Sequence, residues 1–183
     1  FAKASGVARF AYNWALAEWQ RGYELGERPN EAALRRKLNS IKTDEFPWML
    51  EVTKVAPQQA IKNLGEAFRR FFKGDAKYPR FKKKGLNDSF RADNGPPGKG
   101  LNAVTLVDKK IKLPRLGWVR LKEKLRFQGQ IKSVTISRQA GRWYAAISVD
   151  TTSLPHQRKS HGTVGVDLGI KQLATLSDGT AID

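Results

Sequence analysis

The chain has 183 residues, room for one ordinary domain or two small ones, and its 40% apolar content excludes disorder throughout. No apolar run approaches the roughly 20 residues that span a bilayer, and the first residues lack the charged-then-apolar pattern of a signal peptide. Cysteine is absent, which removes disulfides, thiol catalysis and Cys-based zinc sites from this stretch, and a formal charge of +17 asks for an anionic partner.

Residues 1 to about 84 read as helical. Val7, Phe10, Ala11 and Trp14 recur at helical spacing, with Trp19 and Tyr23 further on. Gly26 and Pro29 punctuate, and Asn30 suits an N-cap with Glu31 in the first turn behind it. Leu34, Leu38 and Ile41 predict the stripe of a second helix. Phe46-Pro47-Trp48 reads as a hydrophobic corner. Pro57 fits the first turn of a third helix, whose buried face is Ile61, Leu64, Phe68 and Phe71. Near one stripe on its other side fall Lys54, Gln58, Lys62, Arg69 and Lys73. Such a stripe is either a solvated face or a helix laid against a nucleic acid.

Lys77-Tyr78-Pro79-Arg80-Phe81-Lys82-Lys83-Lys84 follows, and Pro79 bars regular helix across it. Its cations suit phosphates and its rings suit bases, which favours binding over a plain linker. Residues 93–100 read as a loop. Beyond it the period changes to two: Val104–Val107, Ile111–Leu113, Trp118–Leu121, Ile131–Ser137 and Trp143–Val149 predict short antiparallel strands in a small barrel or sandwich. Gln139-Ala140-Gly141 predicts a hairpin turn. Residues 155–161 read as a linker, and His156 and His161 within that polar stretch are given no role.

The charge is not spread evenly. Residues 1–84 carry 18 basic against 9 acidic side chains, residues 85–161 carry 15 against 5, and residues 162–183 carry 1 against 3. Two basic segments interleaved with aromatics point to nucleic acid more than to a membrane surface, where one amphipathic helix would hold the charge.

Thr163-Val164-Gly165-Val166-Asp167-Leu168-Gly169 is an apolar strand containing a carboxylate, and a buried, unpaired Asp is costly. A second strand at Leu173–Leu176 and a turn at Ser177-Asp178-Gly179 follow at hairpin distance. An Asp-bearing first strand leading into a meander is how ribonuclease-H-like nucleases begin; they cleave phosphodiesters with two metal ions held by clustered carboxylates. Asp-Leu-Gly also opens the actin-like ATPase fold, although Ile170-Lys171 stands here in place of that fold's Gly- and Thr-rich loop. A purely structural Asp167, capping a turn, is the third reading.

Taken together, several stretches resemble TnpB proteins, also called OrfB, of insertion sequences. These are Ala8-Arg9-Phe10-Ala11-Tyr12-Asn13-Trp14-Ala15-Leu16, Phe46-Pro47-Trp48, Tyr78-Pro79-Arg80-Phe81-Lys82, Ile111 to Val119, Ile131 to Ser137 and Gly141-Arg142-Trp143-Tyr144. Val164 to Lys171 is similar to the family's first RuvC motif. The resemblance implies an α+β protein: a helical recognition lobe over 1–84, an oligonucleotide-binding-like antiparallel wedge β-barrel over 85–154, the linker, and over 162–183 the first strands of a ribonuclease-H-like (RuvC) domain. The chain would then be the front part of a longer protein, with the family's first barrel strand, later RuvC carboxylates and Cys-rich zinc element outside these residues.

The implied function is RNA-guided cleavage of DNA. A transposon-encoded guide RNA pairs with the target strand of double-stranded DNA, while protein reads a short adjacent motif, as in compact type V CRISPR effectors. Asp167 matches the first RuvC metal ligand and catalytic carboxylate, and Mg²⁺ is the implied ion; Zn²⁺ is expected only in the absent C-terminal part. Lys54 and Gln58 match residues that read the adjacent DNA, with Lys62 beside them and the loop at Asn94 and Gly95 near another such contact. Arg69, Lys73, Lys77, Tyr78, Arg80, Phe81, Lys82, Lys83 and Lys84 would hold RNA or DNA backbone. The isolated chain is expected not to cut DNA. No membrane partner is implied, and the expected place is the prokaryotic cytoplasm, on the nucleoid when DNA is bound. A nuclease-inactive RNA-guided regulator and a conventional DNA-binding transposase-associated protein are the alternatives.

Overall fold

A 23-residue helix, α1 (Ala2–Glu24), opens the chain, and small side chains select its buried face. Ala4, Ala8, Ala11 and Ala15 recur at spacings of three and four, so one stripe of the helix carries almost no side-chain bulk. Val7, Leu16 and Trp19 fill out that face, while Phe10 and Trp14 are half-buried at its margin. Tyr23, expected on the stripe, is exposed: the returning chain at Glu27 and Pro29 packs against Gly22 instead.

The computed structural model describes residues 1–94, 103–152, 164–169 and 172–182, and it divides into two units, Phe1–Ser153 and Leu154–Asp183. In the first, Asn30 is the N-cap of α2 (Glu31–Ile41), its Oδ1 accepting the Ala33 N–H at 2.9 Å. A 3₁₀ turn over Pro47–Glu51 leads into α3 (Val55–Phe72), with Pro57 in its first turn. Ile61, Leu64 and Phe68 of α3 are buried against α1, and the Trp19 and Phe68 rings stack at 4.2 Å. Gly65 admits α2: a Cβ there would stand 3.0 Å from the Glu31 Cβ.

Sheet follows helix. β1 (Ser89–Asp93), β5 (Gln130–Gln139) and β6 (Arg142–Asp150) form one antiparallel sheet in the order β1-β5-β6. Ala140 and Gly141 both have positive φ, +46° and +76°, between the paired Gln139 and Arg142, which is the two-residue turn that matches strand twist. β2 (Thr105–Val107), β3 (Lys110–Leu113) and β4 (Gly117–Arg120) form a separate meander. Period-two alternation holds: Val134 and Ile136 of β5, and Ile111 and Leu113 of β3, point into the core.

Two expectations change. A strand, β1, occupies residues 89–92, given no element from sequence, and Asp93, read as the start of a loop; it seals the helical layer, for Phe90 and Ala92 are buried and β1 packs on α1 and α3. The expected β-barrel is not closed. Among the described residues the strands lie in separate three-stranded sheets, because β2–β4 pair only with one another and β1 adds to the β5 edge. The α+β class stands.

In the second unit, β7 (Val166–Asp167), β8 (Ala174–Leu176) and β9 (Ala181–Ile182) form the expected meander, turning at Ser177–Gly179. The Gly165 N–H donates to Ser177 Oγ at 3.0 Å, and the Ser177 N–H returns a bond to the Gly165 carbonyl at 2.8 Å.

Candidate nucleic-acid interface

Lys54, Gln58 and Lys62 step along α3 at intervals of four, so they share a face. Lys54 stands at the N-cap position; Lys54 and Lys62 are exposed, and neither makes an ion pair among the described residues. Gln58 is half-buried. The stripe changes character towards its end. Arg69 pairs with Glu66, and Lys73 with Asp75 at 3.1 Å, which neutralises both cations locally.

The 77–84 segment is not helical and is pinned at three points. Pro79 is buried. Tyr78 sits edge-on to Phe68 and Phe71 of α3, at centroid distances of 5.5 and 5.2 Å. Asn13 of α1 grips the Lys82 backbone twice, its Nδ2 donating to the carbonyl at 3.0 Å and its Oδ1 accepting the N–H at 2.8 Å. The Lys82 ammonium rests over the Tyr12 ring, 4.4 Å from its centroid, and desolvation there lowers the lysine pKa while burial raises that of the Tyr12 phenol. Anchoring these residues leaves Lys77, Arg80, Lys83 and Lys84 outward with the exposed Phe81 ring. None of these four cations has an acidic partner among the described residues.

Asn94 is engaged internally. Its Nδ2 donates to the Val104 and Ile131 carbonyls, both at 2.9 Å, and its Oδ1 accepts the Val104 N–H at 2.7 Å. Both side-chain donors are therefore used, and one acceptor lone pair is left for any outside group. Asn94→Ala is expected to cost about 2–4 kcal/mol, because it strands backbone groups at the buried Val104. Urea unfolding checks this; a loss below about 1 kcal/mol would show that water replaces the amide. Gly95, His156, His161 and the linker over 155–161 lie outside the described residues.

Asp167 is exposed in β7, opposite Thr175, and Val166 and Leu168 beside it are exposed as well. The carboxylate is thus not buried as expected from its apolar neighbours. Gly165 faces Ser177, whose Cβ would lie 3.5 Å from a Cβ placed there. Among the described residues no group of three or more His, Cys, Asp or Glu side chains is arranged to hold a metal ion. Asp167 alone does not make a magnesium site, and no cleavage step is assigned to it.

Two features escaped sequence reading. Arg9 Nη1 bonds Asp88 Oδ1 at 2.7 Å across 79 residues, tying α1 to the start of β1, and nothing local signals it. The β2–β4 meander gathers Lys110, Lys112, Trp118 and Arg120 on one face. The alternation in Lys110-Ile111-Lys112-Leu113 is the signal that marks that face.

Residues 1–28, which are α1 and the turn after it, match the family HTH_OrfB_IS605, described as a helix-turn-helix domain. The chain is 34% identical over 181 residues to an Escherichia coli (strain K12) protein named "Putative RNA-guided DNA endonuclease InsQ", a match covering 98% of this chain and 44% of that protein. It is 30% identical over 181 residues to a Streptomyces pristinaespiralis protein of the same description, covering 97% of this chain and 44% of the relative. A Mycobacterium tuberculosis relative so described is 26% identical over 217 residues, covering 100% of this chain and 46% of that protein. The chain therefore spans less than half the length of the curated relatives it matches. These similarities bear out the resemblance to TnpB/OrfB-type proteins. No helix among the described residues is long and apolar enough to cross a membrane.

Proposed function

We propose that this chain is the nucleic-acid-holding front part of an RNA-guided DNA endonuclease of the TnpB type. The observation that carries the reading is similarity along nearly the whole chain to proteins so described, coinciding with clustered, unpaired cations. In this reading residues 1–84 are the recognition lobe, the sheets of 85–154 are the wedge, and 162–183 begin the RuvC domain. The guide RNA and target DNA lie against Lys77, Arg80, Phe81, Lys83 and Lys84. Lys54, Gln58 and Lys62 face the duplex beside the target, since Lys and Gln can both contact base edges in a groove. Asp167 would be one oxygen ligand of a magnesium site that the described residues do not complete, and the chemistry such an ion supplies is activation of water at a phosphodiester. The residues of this chain supply binding and orientation.

Purification of the complete protein from its host, followed by sequencing of co-purifying RNA, tests the reading. A uniform RNA ending in a variable or transposon-flank-matching segment is expected; RNA-free protein that still binds DNA tightly would point to a conventional DNA binder. In the complete protein, Lys54→Ala and Gln58→Ala are each expected to reduce motif-dependent cleavage about tenfold, in keeping with roughly 1–3 kcal/mol per base contact, with guide retention unchanged. Equal loss of both activities would assign these residues to folding or RNA binding.

A further inference from the structure

The basic 80–84 segment has neither helix nor strand of its own, so its course is set by what grips it from outside. Much of that grip comes from one face of α1. Arg9 and Asn13 lie four residues apart there, one turn along the helix. Arg9 Nη1 bonds Asp88 Oδ1 at 2.7 Å, and Asp88 Oδ2 accepts the Gly85 N–H at 3.2 Å, which fastens the far end of the segment. Tyr78, edge-on to Phe68 and Phe71, fastens the near end. Asn13 fastens the middle, where one side chain takes both the N–H and the carbonyl of Lys82.

The chemistry of that middle clamp is specific to a short primary amide. It presents a donor and an acceptor in one plane, as the N–H and C=O of a single residue require. Aspartate lacks the donor and would set a negative charge beside the cations. Glutamine has both groups but holds them one methylene further out. Asparagine is also a weak helix former, so its place inside a 23-residue helix runs against propensity. Its oxygen and its nitrogen are both directed at a residue 69 positions later. On either side of the clamp Arg80, Lys83 and Lys84 are exposed and have no acidic partner among the described residues.

We propose that Asn13 is a positioning residue for nucleic-acid binding: it clamps the Lys82 backbone, holds Arg80, Lys83 and Lys84 in register for neighbouring phosphates, and touches no nucleic acid itself. The proposal rests on the nucleic-acid-holding reading above. A segment left loose gives up backbone freedom when it binds, and that cost weakens affinity without removing a charge.

The test is a double-mutant cycle on the 183-residue chain with a labelled duplex DNA, read by fluorescence anisotropy across a salt series. Asn13→Ala is expected to weaken binding about tenfold at every salt concentration and to leave the salt slope unchanged, because every cation remains. In a background of Arg80→Ala, Lys83→Ala and Lys84→Ala, the same change should alter affinity less than about twofold, since a residue that acts through those cations has nothing left to position. Trypsin should cut after Lys82 and Lys83 faster in Asn13→Ala. Alanine favours helix over asparagine, so the circular dichroism spectrum should be unchanged. Asn13→Gln, with both groups displaced, should give a smaller loss in the same direction, and it carries the cycle if Asn13→Ala does not fold. Unchanged affinity in Asn13→Ala, or an equal loss in both backgrounds, would overturn the inference and leave the nucleic-acid-holding reading intact; an equal loss is the mark of a direct contact or of a purely structural residue. Failure of the unaltered chain to bind the duplex would overturn that reading and the inference with it.

Discussion

Phe68→Ala is expected to remove about 3–5 kcal/mol of stability, the range for truncating a buried aromatic side chain. Phe68 is 2% exposed and is the point where three contacts meet. Its ring stacks on Trp19 of α1 at 4.2 Å, faces Phe72 at 6.0 Å and receives the edge of Tyr78 at 5.5 Å. Removing it opens a cavity between α1 and α3 and withdraws one of the two rings that hold Tyr78. Denaturant unfolding followed by circular dichroism reads the stability loss. A cost below about 1 kcal/mol would mean that the helices close over the gap. Tyr78→Ala, at a half-exposed ring, should cost less and make the 77–84 backbone more susceptible to protease.

Replacing Lys77, Arg80, Lys83 and Lys84 together by Ala is expected to make the slope of log affinity against log salt shallower by up to about 3.6 for duplex DNA, since each released phosphate contact contributes close to 0.9 to that slope. Near 0.1 M salt the affinity should fall by up to roughly four thousandfold. All four side chains are exposed and without acidic partners among the described residues, so the melting temperature should hardly change. Lys82 is left out deliberately, since its backbone is gripped by Asn13 and its amine lies over Tyr12. Arg69 and Lys73 provide the contrast: each already has a carboxylate partner, and their joint replacement should shift the slope less. An unchanged slope in the fourfold variant would make the segment a solvated linker.

What the sequence reveals depends on how local the cause is. The α2 start was legible because Asn30 and Glu31 act within one turn, and the β5–β6 hairpin because Gly141 satisfies a positive φ. The buried stripe of α3 was legible for the same reason, in Ile61, Leu64 and Phe68. β1 was not, because Ser89-Phe90-Arg91-Ala92-Asp93 places only two apolar residues in five. Its identity as a strand comes from pairing with β5, some forty residues later in the chain. The barrel expectation failed similarly, since closure is decided by edge pairings that alternation within a strand does not encode.

The candidate interface was legible in part. Composition identifies the cations of 77–84 as a cluster, but only the fold separates anchors, Tyr78 and Lys82, from side chains free to meet a polyanion. Asn94 is the clearest case. The family resemblance puts it near a DNA contact, yet its amide links three distant backbone groups. Asp167 shows the reverse. Val164, Val166 and Leu168 suggest burial, whereas the two-residue β7 leaves all three and the carboxylate exposed.

The position of β1 bears on how such proteins could be recombined. Helices and sheet share one hydrophobic interior through Phe90 and Ala92, and Arg9 clasps Asp88 just ahead of the strand. A chimera spliced at residue 84, the seam suggested by composition, would strip the donor helices of their lid and give the recipient sheet an ill-fitting one. Grafts that carry the donor's residues through Asp93 keep that seal together, and are the ones expected to yield folded hybrids.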